Sequence, residues 1–261
     1  MFFTFRDNMF YSRGFAFIDK IIEPSLKDTA NLQYSRCPIC GTRYGDQLKQ
    51  YYDRETVVQL KKTRAHQWPD IISNNQQFAF ITVSQRVLEA WEAEGIGTFP
   101  CFPVRIQPPF PQTLTTEPPP YYRLDYKKMA KAEMDFEVSG FPDARTCEIC
   151  GSFLHDSLKT MPLQRTKIFP RVFKPETWDG SHVFRLTPSG YMFCTDNVVE
   201  CAHKYKLTNF LFIPAEIGSG AGFRGVDYLK KNWRLKLSEQ IRKFEEHFYG
   251  HLPSPPGFNN K

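Results

Sequence analysis

The chain has 261 residues, of which 41% are hydrophobic and 24% charged, a globular composition that excludes wholesale disorder. Aromatic residues make up 15%, and 20 prolines are present, which favours a β-rich or α+β core over a helical bundle. No apolar run approaches the roughly 18 residues of a membrane span, and Arg6 and Asp7 interrupt the apolar start, so we expect a cytoplasmic protein without a secretory signal. The net charge of +6 permits nucleic-acid binding without indicating it.

The first predicted elements are strands at residues 2–6 and 15–22, followed by a five-residue loop, Cys37-Pro38-Ile39-Cys40-Gly41. Two residues between cysteines allow one tight turn to aim both sulfurs at a metal ion about 2.3 Å away, the zinc–thiolate distance. Glycine after the second cysteine suits such a turn, here called a knuckle, because glycine tolerates a positive φ. Residues 54–63 are predicted to form a short helix.

Residues 81–106 are predicted to form a strand, a helix and a second strand. Ser84 is the expected N-cap of the helix, and Gly95 is expected to end it. Eight prolines within residues 100–122 indicate a stiff linker, placed at 107–122, between two halves of the chain. The less favoured interpretation is a ligand for a proline-reading domain.

A second knuckle, Cys147-Glu148-Ile149-Cys150-Gly151, repeats the first at a distance of 110 residues. Two knuckles supply four thiolates, the closed tetrahedral shell of a structural zinc site. The sequence therefore predicts one structural zinc ion per chain, with the ligands Cys37, Cys40, Cys147 and Cys150. The 106 residues between the two cysteine pairs exceed the usual zinc-ribbon spacing, so the metal would join distant parts of the chain.

Other interpretations of the cysteine pairs are a thioredoxin-like redox site, a different metal arrangement and a degenerate site without metal. A redox pair opens a helix and usually has an aromatic residue before it, whereas Arg36 and Thr146 precede these pairs. The odd total of seven cysteines argues against a disulfide framework. Cys101, Cys194 and Cys201 lie among apolar residues and are expected to be buried, without a function.

A hairpin is predicted from residues 183–186 and 191–194, leading into a second strand–helix–strand unit at residues 192–217. This unit aligns without a gap on residues 81–106 at an offset of 111, with Thr195 as the N-cap opposite Ser84. Because the knuckles share nearly the same offset, we interpret the chain as an internal duplication. A chance match between two amphipathic helices is the alternative.

The end of the chain differs from both halves. Residues 227–249 are predicted to form an amphipathic helix with a basic surface, which can dock on the core or bind membranes, acidic partners or nucleic acid. Residues 220–225 match a dinucleotide-binding glycine pattern, but no second strand follows to complete that motif, so a flexible joint is the better interpretation. The last residues are predicted to be disordered.

These patterns predict an α+β fold in which two duplicated β-α-β halves, each with a CXXCG zinc knuckle, pack as one unit around a structural zinc. The predicted boundaries are residues 1–106 for the first half, 107–122 for the linker, 123–217 for the second half, and 218–261 for an extension with the basic helix and the tail. No metalloprotease, deaminase, P-loop or nucleophile-elbow motif is present, so we expect no enzymatic activity and no catalytic residues. His155 is expected to be a surface histidine rather than a ligand.

The two knuckles, CPICG and CEICG, resemble the motifs of the bacterial double-CXXCG motif proteins, a paralogous family in myxobacteria. The resemblance covers roughly residues 1–217, including the stretch SHVFRLTPSGYMFCTDNVVECAHKYKLTNFLFIPAEI, while residues 218–261 extend beyond it. It implies as motif positions Cys37, Cys40, Cys147 and Cys150, with Gly41 and Gly151 beside them. The family includes Sit-type immunity proteins, which protect a cell against a toxin delivered by its kin.

The resemblance implies a non-enzymatic binding protein, an immunity protein that neutralises a cognate bacterial toxin in the cytoplasm. A net charge of +6 has the wrong sign for binding a strongly basic nuclease, because complementary fields speed association. One alternative is a zinc-ribbon nucleic-acid-binding protein that uses the basic helix at 227–249. Another is a thiol redox enzyme that uses one of the cysteine pairs.

Overall fold

A computed structural model of the chain describes residues 2–7, 16, 18–23, 35–41, 43–44, 55–60, 65–73, 81–125, 128–141, 143–149, 151–155, 171–188 and 192–215. In these residues the fold is α+β, with two α-helices and fifteen strands. The described residues include no helix that is long and apolar enough to cross a membrane. The predicted helix at 227–249, the glycine-rich residues 220–225 and the predicted tail lie outside the described residues.

The regular secondary structure of the described residues consists mostly of short β-strands. The strands are, in chain order, β1 Phe2–Asp7, β2 Ile18–Glu23, β3 Ser35–Arg36, β4 Arg43–Tyr44, β5 Thr56–Leu60, β6 Ile71–Ser73, β7 Ile81–Ser84, β8 Cys101–Gln107, β9 Tyr121–Leu124, β10 Lys131–Glu133, β11 Arg145–Thr146, β12 Phe153–Leu154, β13 Val183–Thr187, β14 Met192–Thr195 and β15 Phe210–Pro214. The helices are α1, Gln85–Ala93, directly after β7, and α2, Asp196–Lys204, directly after β14. A 3-10 turn spans Pro175–Thr177.

The strands of the described residues form two large sheets and two small hairpins. The first sheet has the order β2-β5-β8-β9-β7-β6, and the second has the order β10-β13-β14-β1-β15. The strand–helix–strand unit of β7, α1 and β8 belongs to the first sheet, and the unit of β14, α2 and β15 belongs to the second. In each unit the two strands are not neighbours, because a third strand lies between them and runs antiparallel to both.

This intervening strand comes, in each sheet, from the other predicted half of the chain. β9 lies between β7 and β8, with Tyr121 opposite Ser84, and β1 lies between β14 and β15, with Phe2 opposite Thr195. Since Ser84 and Thr195 are equivalent positions of the two units, β1 and β9 hold the same register. The sheets therefore do not follow the boundaries predicted at 1–106 and 123–217, and the last two residues of the predicted linker lie in β9.

The ends of the two helices correspond residue by residue at an offset of 111. Ser84 and Thr195 occupy the predicted N-cap positions in extended conformation, but neither side chain caps its helix. Gly95 ends α1 with a φ of +69°, as predicted, and Lys206 takes the same place after α2 with a φ of +51°. The backbone amides that close the two helix ends bond to carbonyls at matching positions, for example Ile96 to Trp91 and Leu207 to Ala202.

The remaining predicted elements have mixed outcomes. The strands at 2–6 and 15–22 correspond to β1 and β2, and the predicted hairpin corresponds to β13 and β14, which are antiparallel. The short helix predicted at 54–63 is wrong, because Thr56–Leu60 form β5 between β2 and β8. Thr56, Val57 and Val58 are consecutive β-branched residues and all are buried, so packing in an interior strand overrides the amphipathic pattern of the surrounding charges.

Three apolar clusters form the core of the described residues. The first contains side chains of both large sheets and both helices, including Phe5 of β1, Trp91 of α1 and Val198 of α2. Phe2, on the opposite face of β1 from Phe5, packs in the second cluster, against Phe173 and Phe184. The two faces of β1 therefore contribute to different clusters, because successive side chains of a strand point to opposite sides. The third cluster lies on the first sheet around β5, β6 and β8.

Candidate metal centre

The first knuckle, residues 37–41, joins β3 to β4. The amide of Gly41 donates a hydrogen bond of 2.8 Å to the carbonyl of Cys37, which closes the turn. Gly41 has a φ of +67°, and a Cβ there would meet nothing within 4 Å, so backbone conformation rather than space calls for glycine. The turn keeps Cys37 buried and leaves Cys40 half-buried.

The second knuckle, residues 147–151, joins β11 to β12 and repeats this geometry. Gly151 has the same φ of +67°, and its amide donates a bond of the same 2.8 Å to the carbonyl of Cys147. Ser35 faces Tyr44 in the first hairpin, and Arg145 faces Leu154 in the second, so the register is also displaced by 110 residues. Matching sequence motifs thus form matching turns.

The structure brings three of the four predicted ligands together. The sulfur atoms of Cys37, Cys40 and Cys147 all lie within 4.8 Å of one another, and this group can hold a metal ion. The fourth predicted ligand, Cys150, lies outside the described residues, directly after Ile149. The cluster therefore joins residues from two knuckles that are 110 positions apart in the sequence.

The spacing of the sulfurs fits ligands that share one metal ion. The Sγ atoms of Cys37 and Cys147 are 3.6 Å apart. Two thiolates at about 2.3 Å from a tetrahedral zinc ion are about 3.7 Å from each other, whereas a disulfide requires about 2.05 Å. Both residues are buried, at 2% and 4% exposure, so a metal bound here is largely shielded from solvent.

Without a metal, the neighbours of Cys37 act on its thiol in opposite directions. The backbone amides of Cys40 and Ile39 favour the thiolate, while burial and the sulfurs of Cys147 and Cys40 oppose it, and the net effect raises the pKa of Cys37 to about 11. With a pKa of about 11, the Cys37 thiol is therefore protonated at neutral pH. A metal ion that binds must displace protons, because the thiolate is the ligand.

The second knuckle also packs on the apolar core through an aromatic group. Phe153 of β12 lies against Phe141 and Phe136, with ring centroids 5.2 Å and 5.4 Å apart. The buried guanidinium of Arg171 lies over the ring of Phe141 and donates a hydrogen bond to the carbonyl of Ser139. The three-cysteine cluster is thus connected through β12 to the second apolar cluster, a link that the cysteine pattern did not reveal.

The other residues considered from the sequence lie apart from the three-cysteine cluster. His155 does not join it, and its ring packs instead against Phe153 and Phe141. Cys194 and Cys201 are buried in the first apolar cluster, as predicted, and Cys101 packs at its edge. Burial raises the pKa of all three thiols, which makes them poor nucleophiles at neutral pH.

A buried polar group that the sequence analysis missed joins the two units. The carboxylate of Asp70, just before β6, accepts hydrogen bonds from the hydroxyl of Ser84, the guanidinium of Arg86, and both the amide and the hydroxyl of Thr208. Asp70 is 6% exposed. In the sequence, Asp70 stands out only as a charged residue between Pro69 and an apolar strand. That pattern is too weak to indicate a partner 138 residues away.

The two helices meet next to this group. Arg86 of α1 also donates to the carbonyls of Tyr205 and Lys206 at the end of α2. Glu94, after α1, accepts hydrogen bonds from Lys204 and Tyr205, at 2.7 Å and 2.9 Å. Polar contacts at the ends of α1 and α2 therefore hold the two helices together, in addition to the apolar cluster that they share.

No model of a known protein family matches the chain, and no curated protein matches it. The geometry of the cysteine cluster and the resemblance of the two CXXCG motifs therefore carry the functional interpretation.

Proposed function

We propose that the chain is a non-enzymatic binding protein whose two knuckles share one structural zinc ion. The observation that carries this proposal is the three-cysteine cluster, which includes sulfurs of both knuckles within 4.8 Å. Cys150 would complete a set of four thiolates, and a closed tetrahedral shell leaves no open position for a substrate. The metal would then clamp the two knuckles together.

Zinc is the metal that this donor set favours. Soft thiolate ligands select zinc, copper(I) or iron–sulfur clusters, and a single site with four sulfurs at tetrahedral spacing suits zinc. Metal analysis of the purified chain should give one zinc per chain, with no absorbance in the visible range. A metal-free chain with four freely reactive thiols, or a coloured iron-containing chain, would contradict the zinc clamp.

We also propose that the two halves arose by duplication and exchanged their first strands. Supporting this are the shared offsets of the knuckles and helices, and the equivalent registers of β1 and β9. Each half would contribute one knuckle to the metal site and one strand to the sheet of the other half. Metal clamp and strand exchange would both prevent the halves from separating.

For the biological role, we propose that the chain is a cytoplasmic immunity protein that neutralises a cognate bacterial toxin by binding it. The resemblance of CPICG and CEICG to the double-CXXCG family supports this role, because that family includes Sit-type immunity proteins. A scaffold with two interlocked sheets and a metal clamp would present a rigid surface, which reduces the entropy cost of binding a partner.

The immunity proposal predicts rescue of growth by direct binding. Cells that express a toxin encoded beside this gene are grown with the wild-type chain, with a Cys147→Ser variant, and with an exposed-site control, Glu92→Gln. We expect the wild type and the control to restore growth and to co-purify with the toxin. A stable, zinc-loaded chain that neither rescues nor binds would overturn the immunity role. Binding to nucleic acid that is lost on deletion of residues 224–249 would then favour the alternative.

A further inference from the structure

We propose that the cysteine cluster is also an oxidation site, at which a hydroperoxide links Cys147 by a disulfide to the first knuckle, where the sulfur of Cys37 lies 3.6 Å away. The proposal rests on the proposed metal clamp, because the same sulfurs serve as ligands. It goes beyond that clamp by giving the two knuckles a second, covalent way to stay joined.

The geometry favours a link between the knuckles. The sulfurs of Cys37 and Cys147 are 3.6 Å apart, so they must approach each other by about 1.5 Å to reach the disulfide distance. Side-chain rotation within the turns can supply a movement of this size. The knuckle backbones stay closed by the bonds from Gly41 and Gly151.

Cys40 is the most accessible of the three cysteines in the cluster. Cys37 and Cys147 are buried, whereas Cys40 is half-buried, so a molecule as small as hydrogen peroxide reaches Cys40 more readily than the other two. An oxidised Cys40 has both other sulfurs within 4.8 Å. It can therefore react directly with Cys147, or react with Cys37 and pass the disulfide on by thiol exchange.

The chemistry balances with hydrogen peroxide as the oxidant. The sulfur of one cysteine attacks one peroxide oxygen, the O–O bond breaks, and a sulfenic acid forms; the leaving hydroxide becomes water by taking the proton of that thiol or, where zinc has displaced it, a proton from solvent. A second cysteine sulfur attacks the sulfenic sulfur and forms the S–S bond, and the expelled oxygen takes a proton in the same way and leaves as a second water. Two thiols and one peroxide thus give one disulfide and two waters. A metal that loses two of its thiolates is released.

The test maps disulfides in the full chain. Zinc-loaded protein, and the same protein stripped with a chelator, are treated with hydrogen peroxide, alkylated, digested and analysed by mass spectrometry for linked peptides. A chromogenic indicator reports released zinc. We expect a link between Cys147 and either Cys37 or Cys40, with about one zinc released per linked chain. Disulfides only within a knuckle, only sulfinic acids, or no oxidation would overturn the proposal.

Two variants and the metal content of the purified chain distinguish failure of the oxidation site from failure of the zinc clamp. Cys147→Ser should abolish the link, and Cys101→Ser, which changes a cysteine outside the cluster, should keep it. A chain purified without metal would contradict the zinc clamp, yet the stripped arm would still test the link. A zinc-loaded chain that forms no link would overturn the oxidation site alone.

Discussion

The carboxylate of Asp70 accepts a hydrogen bond of 2.8 Å from the backbone amide of Thr208, across 138 residues of sequence. The same carboxylate accepts from Ser84, the residue before α1, and from Arg86 in its first turn. One side chain therefore fixes the start of the first helix and the turn after the second. Removing such a buried acceptor lowers the free energy of unfolding, because each of its donors would lose its hydrogen-bond partner.

Replacing Asp70 with Asn should destabilise the chain by about 1.5–3 kcal/mol, the range for losing hydrogen bonds to a buried charged group. The amide nitrogen of Asn cannot accept from the donors that surround the carboxylate. Chemical denaturation of the purified variant measures the change in the free energy of unfolding. Glu92→Gln, on the exposed face of α1, is the matched control and should stay within about 0.5 kcal/mol of wild type. Equal stabilities of the two variants would contradict the role given to Asp70.

Replacing Cys40 or Cys147 with Ser should remove the zinc and lower the stability of the whole chain. Structural zinc binding is folding free energy, and a loss of about 3 kcal/mol corresponds to a fall in Tm of roughly 6–12 °C in a chain of this size. Zinc content and thermal unfolding are measured on the same samples. Cys101→Ser should retain one zinc per chain. A normal Tm in both ligand variants would show that the metal does not stabilise the fold.

Zinc affinity should rise with pH. The pKa of Cys37 in the metal-free cluster is about 11, so zinc must displace its proton at pH 6 to 8, and raising the pH favours the bound state. Each thiol that loses a proton contributes about tenfold in apparent affinity per pH unit in this window. Competition with a chromogenic chelator at three pH values measures the slope. A flat profile would mean that the thiols are already ionised.

His182 should make the fold sensitive to mild acid. Burial lowers the pKa of its imidazole, partly opposed by Asp196, and the ring bonds through Nδ1 to the hydroxyl of Thr195. A group with a depressed histidine pKa contributes its full stability above the pKa of the unfolded chain, about 6.5. This contribution is lost as the pH falls towards the lower pKa of the folded chain. Between pH 7 and pH 5, the free energy of unfolding of His182→Gln should fall less than that of wild type. His203→Gln, at an exposed helical position, should behave like wild type.

Separating the halves should prevent both from folding. A chain cut between residues 107 and 120 leaves the first fragment with β1 but without β9, and the second with the reverse. We expect each fragment alone to be insoluble or unfolded, and the two to assemble when co-expressed, as measured by co-purification and circular dichroism. Independent folding of either fragment would contradict the proposed exchange of strands.

Local features were predictable from the sequence, while the pairing of strands was not. Gly95, the two knuckle glycines and the strand–helix–strand units depend on neighbouring residues, so their patterns are visible along the chain. β5 was missed because burial on both faces, rather than the local charge pattern, decides its conformation. The partners of β1 and of Asp70 depend on contacts between residues more than a hundred positions apart, for which a single sequence holds no signal.

The three cysteines that the structure brings together were predictable from the sequence, but their surroundings were not. Cys37, Cys40 and Cys147 come together as the repeated motif indicated. The support of the second knuckle by Phe153 and Arg171 was not predicted, because an aromatic residue in a hairpin and a distant arginine have no shared pattern.

The place of β1 inside the second sheet sets the order of events during synthesis. Phe2–Asp7 leave the ribosome long before their neighbours β14 and β15, which begin at Met192 and Phe210. At about 5–20 residues per second, the first strand waits roughly 10–40 s for them. Throughout that time a segment with three phenylalanines has no sheet to enter, so nascent chains of this protein should depend on chaperones that shield this unpaired strand.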